Sequence, residues 1–180
     1  MMVKILKITT TFMLLLMVFS CDKPKDVFFK ADNTAFNYIG RFDKTNPEAV
    51  RFDWPNSSIE FQFTGNQITL ALKGGEKNYF NVFIDDKLHK VVHQPKDSFI
   101  KIDSLLADKT HKIRIQKRTE GEMGIVTFHG VYLPENEKLI PNQLKSIKKI
   151  EFIGNSITCG YGTEGKSRNE KFLPSAENVH

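Results

Sequence analysis

Residues 58–73 read "SIEFQFTGNQITLALK", and their spacing decides the fold. Ile59, Phe61 and Phe63 alternate with Glu60 and Gln62, the period-two pattern of a half-buried strand. Thr64-Gly65-Asn66 supplies turn chemistry. Ile68, Leu70 and Leu72 then resume on one face, so the pair predicts a hairpin. The same pattern recurs on both sides. "YIGRFD" (38–43) and "VRFDW" (50–54) precede it. "YFNVFID" (79–85) runs into a turn at Asp85–Asp86, and "KLHKVVH" (87–93) and "SFIKIDSL" (98–105) come next. "HKIRIQKR" (111–118) sets Ile113 and Ile115 against Lys112, Arg114 and Gln116, and "GIVTFHGVYL" (124–133) closes the series. About nine short strands with regular turns and no long amphipathic helix predict a mainly β chain. Aromatic residues on both faces of several strands suit two packed sheets, a jelly-roll β-sandwich over residues 36–133.

The chain has 180 residues, room for one domain and part of another. Fifteen Phe and 40% hydrophobic residues are enough for a packed core, and 26% charged residues do not indicate disorder. The first twenty residues stand apart. Lys4 and Lys7 flank an uncharged, mostly apolar run that ends at Ser20, shorter than a spanning helix needs and built like an export signal. "VFSC" places Cys21 directly after a small residue, which resembles the lipobox of bacterial lipoproteins. The resemblance implies that Cys21 is lipidated after cleavage, and that the protein is exported to the cell envelope and anchored to a bacterial membrane. Each buried acyl CH₂ contributes ~0.8 kcal/mol, so several chains hold where one would not. Residues 21–35 then read as a tether.

Losing Lys4 and Lys7 leaves 24 basic residues against 21 acidic ones, and the formal charge falls from +5 to +3. Acids and bases interleave, with no basic stripe among aromatics, so nucleic acid is not the expected partner. With Cys21 acylated, Cys159 has no cysteine left to pair with. No clustered His/Cys spacing suggests a metal site.

At Pro134 the texture changes. "PENEKLIPNQLKSIK" carries two prolines and mixed charge, and residues 134–147 read as a linker. "KIEFIGNS" (149–156) then starts a short apolar strand that ends in a glycine turn with Ser156 at its tip, the way an α/β domain opens. A serine nucleophile needs an adjacent base and donors for the developing oxyanion. Gly154 permits a tight turn, and the Ser156 N–H can point at a substrate oxygen. Taken alone, Gly-x-Ser after a strand is also an ordinary strand-to-loop turn.

The longer string "IEFIGNSITCGYG" (150–162) resembles the first block of the SGNH, or GDSL-like, hydrolases, and more specifically that of carbohydrate esterase family two, the acetyl-xylan-esterase-like enzymes. "YIGRF", "FDWPNSSIEFQFTG", "HKIRIQKRTE", "GIVTFHGVYL" and the "EN" at 177–178 resemble further segments of that family. The resemblance implies a jelly-roll domain, a linker, and the first strand and turn of an SGNH hydrolase domain from residue 148 to 180. It makes Ser156 the nucleophile and a backbone oxyanion donor. Gly154 and Asn155 support the turn, with Asn155 standing where the family usually has Asp. It implies acyl transfer from O-acetylated polysaccharides such as xylan, with no cofactor. The family's catalytic His and the rest of its oxyanion hole lie far downstream of the nucleophile block. His180 matches no catalytic block, and His89, His93, His111 and His129 belong to the sandwich. The chain therefore reads as the N-terminal part of an esterase, with essentially no turnover expected from these 180 residues alone. From about residue 147 onward it is expected to be poorly ordered or to lean on the sandwich.

The alternative is a membrane-tethered, non-catalytic sandwich. It would either hold glycan on exposed aromatics, with Trp54, Tyr79 and Tyr132 as candidates, or serve only as structure. Core packing is the competing role for each of those three rings.

Overall fold

The computed structural model describes residues 25–94, 99–107, 109–141, 153–156, 160 and 162–178. Among them run eleven strands: β1 (Asp26–Lys30), β2 (Asn37–Ile39), β3 (Val50–Phe52), β4 (Ser58–Thr64), β5 (Ile68–Lys73), β6 (Tyr79–Ile84), β7 (Lys87–His93), β8 (Phe99–Ile102), β9 (Thr110–Lys117), β10 (Val126–Pro134) and β11 (Leu139–Ile140). They form two antiparallel sheets. One is ordered β1-β10-β5-β8, with β3 also on β10; the other is ordered β11-β4-β9-β6-β7, with β2 also on β4. This is the expected two-sheet sandwich, and β2 to β10 are the nine strands read from the sequence.

The alternation behaves as polymer geometry requires. Ile59, Phe61 and Phe63 of β4 are buried opposite Ile115, Ile113 and His111 of β9. Val82 and Ile84 of β6 continue that apolar layer. Leu70 and Leu72 of β5, Ile100 and Ile102 of β8, and Val126, Phe128, Val131 and Leu133 of β10 form the other layer. Phe36 wedges between the layers, its ring edge-on to Phe61 at 5.0 Å and to Phe128 at 5.1 Å. Such T-shaped pairs set the electropositive ring edge against the negative face, worth ~0.5–1.5 kcal/mol beyond their buried area.

Burying both Phe128 and Val131 would break strict alternation, and a bulge between Phe128 and Gly130 resolves it. Gly130 takes φ +135°, and a Cβ there would stand 2.0 Å from the Phe29 carbonyl oxygen, so only glycine fits this approach of β1 to β10.

Three expectations need correction. β4 and β5 are not a hairpin: β4 pairs with β2, β9 and β11, whereas β5 pairs with β10 and β8 in the opposite sheet. Period-two alternation assigns each strand a buried face but not a partner. Gly65, at φ +104°, turns the chain from one sheet to the other, and Glu137 closes the corner through its bond from Thr64 Oγ1 at 2.6 Å. The true hairpin is β6–β7, where Asp85 and Asp86 sit at φ +52° and +65°, as a type I′ turn demands. The stretch read as a tether contains β1, paired with β10 from Asp26↔Pro134 to Lys30↔Gly130. Its exposure hides it, since an edge strand with only Phe29 half-buried carries no alternating pattern. The stretch read as a linker contains β11, paired with Phe63 and Gln62 of β4.

Candidate functional site

Gly154, Asn155 and Ser156 lie together in an exposed stretch, and Ile153 just before them is 91% accessible. Cys21, Cys159 and the strand expected before Ile153 lie outside the described residues. The sandwich histidines have settled roles. His111 is buried, with Nδ1 2.9 Å from Asp85 Oδ2 and Nε2 3.0 Å from the Leu106 carbonyl oxygen. The exposed His93 stacks on Tyr79 at 4.5 Å, His89 is exposed on β7, and His129 is half-buried at the β10 bulge. Among the described residues no group of three or more His, Cys, Asp or Glu could hold a metal ion.

The segment 162–178, downstream of the turn, is bound to the sandwich, in line with one half of the expectation for this region. Asn81 and Gln116 point away from the core on β6 and β9, and Arg118 stands just past the end of β9, yet all three are buried. That segment binds Arg118 and Asn81, while Gln116 accepts from Asn81 Nδ2 and donates to Asn56 Oδ1. Arg118 Nε donates to the Glu177 carbonyl oxygen at 3.0 Å, Nη1 donates to Asn81 Oδ1 at 2.7 Å, and Nη2 donates to the Glu164 carboxylate. Asn81 Nδ2 donates to Asn178 Oδ1 at 3.0 Å, and Asn178 Nδ2 donates to Glu164 Oε1 at 2.8 Å. Arg118, Asn81, Asn178 and Glu164 thus close a ring of hydrogen bonds, with each polar group answering the desolvation of the next. The Glu164 N–H donates to the Ala176 carbonyl at 3.3 Å and ties the two ends of the segment together.

Alternation along β9 hid this arrangement. Gln116, Lys117, Arg118 and Thr119 are four consecutive polar residues, all buried. A polar run that ends an otherwise alternating strand, together with the "EN" at 177–178, was the available signal for a docked partner segment.

Lys117 is buried on the core side of the same strand end. Its ammonium donates to the Thr119 carbonyl and, at 2.8 Å, to the Glu120 carbonyl. Burial pushes its pKa down from 10.5 to about 8, against the opposing pull of Asp53, Glu177 and Glu120. Burial also pushes the Glu177 carboxyl up, although the Glu120 N–H donates to its Oε2 at 3.1 Å. Between about pH 8 and 10.5 the unfolded chain keeps the Lys117 proton and the folded chain releases it, so stability rises with pH across that window. Denaturant titrations of wild type and Lys117→Met at pH 7.5, 9 and 10.5 should show the wild type gaining on the variant as pH rises. A difference that stays constant would contradict this assignment.

Comparison with known proteins fits this architecture. The sequence profile described as "Carbohydrate esterase 2 N-terminal" matches residues 38–142. The chain is 37% identical over 151 residues to the cellulase/esterase CelE of Acetivibrio thermocellus, covering 83% of this chain and 18% of that protein. It is 33% identical over 122 residues to an acetylxylan esterase / glucomannan deacetylase of Cellvibrio japonicus, covering 68% of this chain and 33% of that one. A family two carbohydrate esterase from Clostridium thermocellum, solved in complex with cellohexaose, superposes with a TM-score of 0.72 at 34% identity, over 79% of this chain and 44% of that one. The chain spans less than half the length of each of these relatives. The match over most of the sandwich, in sequence and in fold, places the chain in carbohydrate esterase family 2, through that family's N-terminal domain.

Proposed function

We propose that the chain is the N-terminal part of an exported, lipid-anchored serine esterase that removes acetyl groups from polysaccharides. The observation that carries this reading is an exposed Ser156 whose downstream segment is locked against a family 2 sandwich. Two relatives whose names describe esterase action, one on acetylxylan and glucomannan, support the substrate class.

In the proposed reaction Ser156 Oγ attacks the acetyl carbonyl carbon. Its proton passes to a histidine base supplied by a part of the protein beyond residue 180. The Ser156 N–H donates to the oxyanion, a contact of the kind worth ~2.7–4 kcal/mol in the transition state. As the C–O bond to the sugar breaks, the base returns the proton to the departing hydroxyl. Water, deprotonated by the same base, then releases acetate from the acetyl-serine. Asn155 braces the turn, since its amide both donates and accepts. Separated from the base and the remaining oxyanion donors, the 180 residues keep at most residual catalysis.

Acetate release from acetylated xylan tests the reading. The full-length product should be active, and Ser156→Ala should lower kcat by at least ~10³-fold. An active Ser156→Ala enzyme would remove Ser156 from its role. For the anchor, cells fed labelled palmitate should label the wild-type protein and not Cys21→Ser; equal labelling, or none in either, would overturn lipidation at Cys21.

A further inference from the structure

The structure assigns a second carbohydrate contact, away from the serine turn: we propose that the groove beside Trp54 binds one or two rings of a neutral polysaccharide. This deepens the polysaccharide reading by naming a binding subsite that the esterase chemistry does not require.

The groove is open and holds about 340 Å³, near the small end of the ~300–1,000 Å³ typical of ligand pockets. Its lining includes Trp54, Ile125, Arg41, Arg51, Asp43 and Asp53. Trp54 is 53% exposed and Ile125 44% exposed. An indole this accessible beside an exposed isoleucine offers a ligand a flat apolar surface with a polar rim, and aromatic rings of that kind recur at binding surfaces. Arg41 holds its guanidinium 4.5 Å over the Trp54 ring, which fixes the ring without covering it.

The polar lining identifies the class of ligand. Two guanidinium groups and two carboxylates cancel in charge, so the groove selects neither an anion nor a cation. Arg51 Nη1 stands 3.7 Å from Asp43 Oδ2, so a donor and an acceptor sit side by side in the lining. Hydrogen bonds from Thr45, with Arg51 nearby, hold the Asp43 carboxyl below the usual carboxylate range, so it is an acceptor throughout the neutral range. A pyranose ring matches this set: its C–H face stacks on indole or isoleucine, and its hydroxyls meet carboxylates on one side and guanidinium N–H groups on the other. A lipid surface would call for net positive charge and a wider apolar face, and a nucleic acid for a basic one.

Position adds to the case. The Asp53 carbonyl oxygen lies 3.6 Å from where a Gly121 Cβ would stand, and the neighbouring Glu120 N–H is bound by Glu177. The groove therefore opens beside the strand end that holds the segment downstream of Ser156. A glycan gripped at Trp54 is delivered to the same end of the sandwich.

The test uses the whole 180-residue chain, in which Trp54 is the single tryptophan, so intrinsic emission reports the groove directly. Titration with cellohexaose and with xylohexaose should give a saturable emission change with at least one of them. Calorimetry should show affinity lowered at least about tenfold in Trp54→Ala and in Arg51→Ala, and unchanged in Tyr132→Ala, whose ring packs against Phe28 and Phe99 at the far end of β10. No saturable response from the folded chain to either sugar overturns the proposal, as does binding untouched by both groove variants. If the emission shifts instead when the separately produced downstream part of the esterase is added, the groove is an internal interface and the proposal fails. Acetate release by the full-length enzyme is measured independently, so a failed groove leaves the esterase reading standing.

Discussion

The guanidinium of Arg118 is 1% exposed on the outward side of a sheet, where a charge has no apolar layer to join and no water to meet. All three of its nitrogens are answered: Glu177, Asn81 and Glu164 each accept from a different one. Two of those three acceptors belong to a segment some fifty residues further along the chain, so the sandwich is not finished without that segment. A charge buried in this way contributes little net stability against an apolar replacement, and a great deal of specificity about what must sit on it. The same strand end buries Lys117 at a depressed pKa, and Asn81 of the neighbouring β6 joins the ring that links Arg118 to Asn178 and Glu164. Polar groups are thus concentrated where the two parts of the chain meet, and the aliphatic and phenylalanine core stays dry.

The sandwich therefore acts as more than an appendage. It holds the stretch downstream of Ser156, and a nucleophile is useful only when its surroundings fix it within fractions of an ångström of its partners. The Trp54 groove lies on the neighbouring side of Glu120. On the proposed readings, substrate grip and nucleophile support share one end of a rigid β scaffold, which is how loops on a sandwich gain function without burdening its core.

Much of this was legible in the sequence, for a physical reason. Alternation is local, so Ile59-Phe61-Phe63 and Ile68-Leu70-Leu72 announced their buried faces without any knowledge of partners. Pairing is not local, so the same residues could not reveal that β4 and β5 lie in opposite sheets. β1 escaped notice because an edge strand exposes its ring at Phe28 and buries little. Gly154-Asn155-Ser156 became a candidate nucleophile motif only through the resemblance of the longer string 150–162, since Gly-x-Ser alone also describes an ordinary strand-to-loop turn. The Arg118 ring was not legible, because a buried arginine and a surface arginine look alike until the segment that covers one of them is placed.

The central claim is that Arg118 locks segment 162–178 to the sandwich, and hydrogen exchange read by mass spectrometry tests it most directly. Breaking a buried charged contact by removing one side costs ~3–5 kcal/mol. Peptides covering 162–178 should therefore exchange at least ~10²-fold faster in Arg118→Met than in wild type, with β4 and β6 amides unchanged and partial rescue in Arg118→Lys. Equal protection of 162–178 in wild type and Arg118→Met would contradict the account.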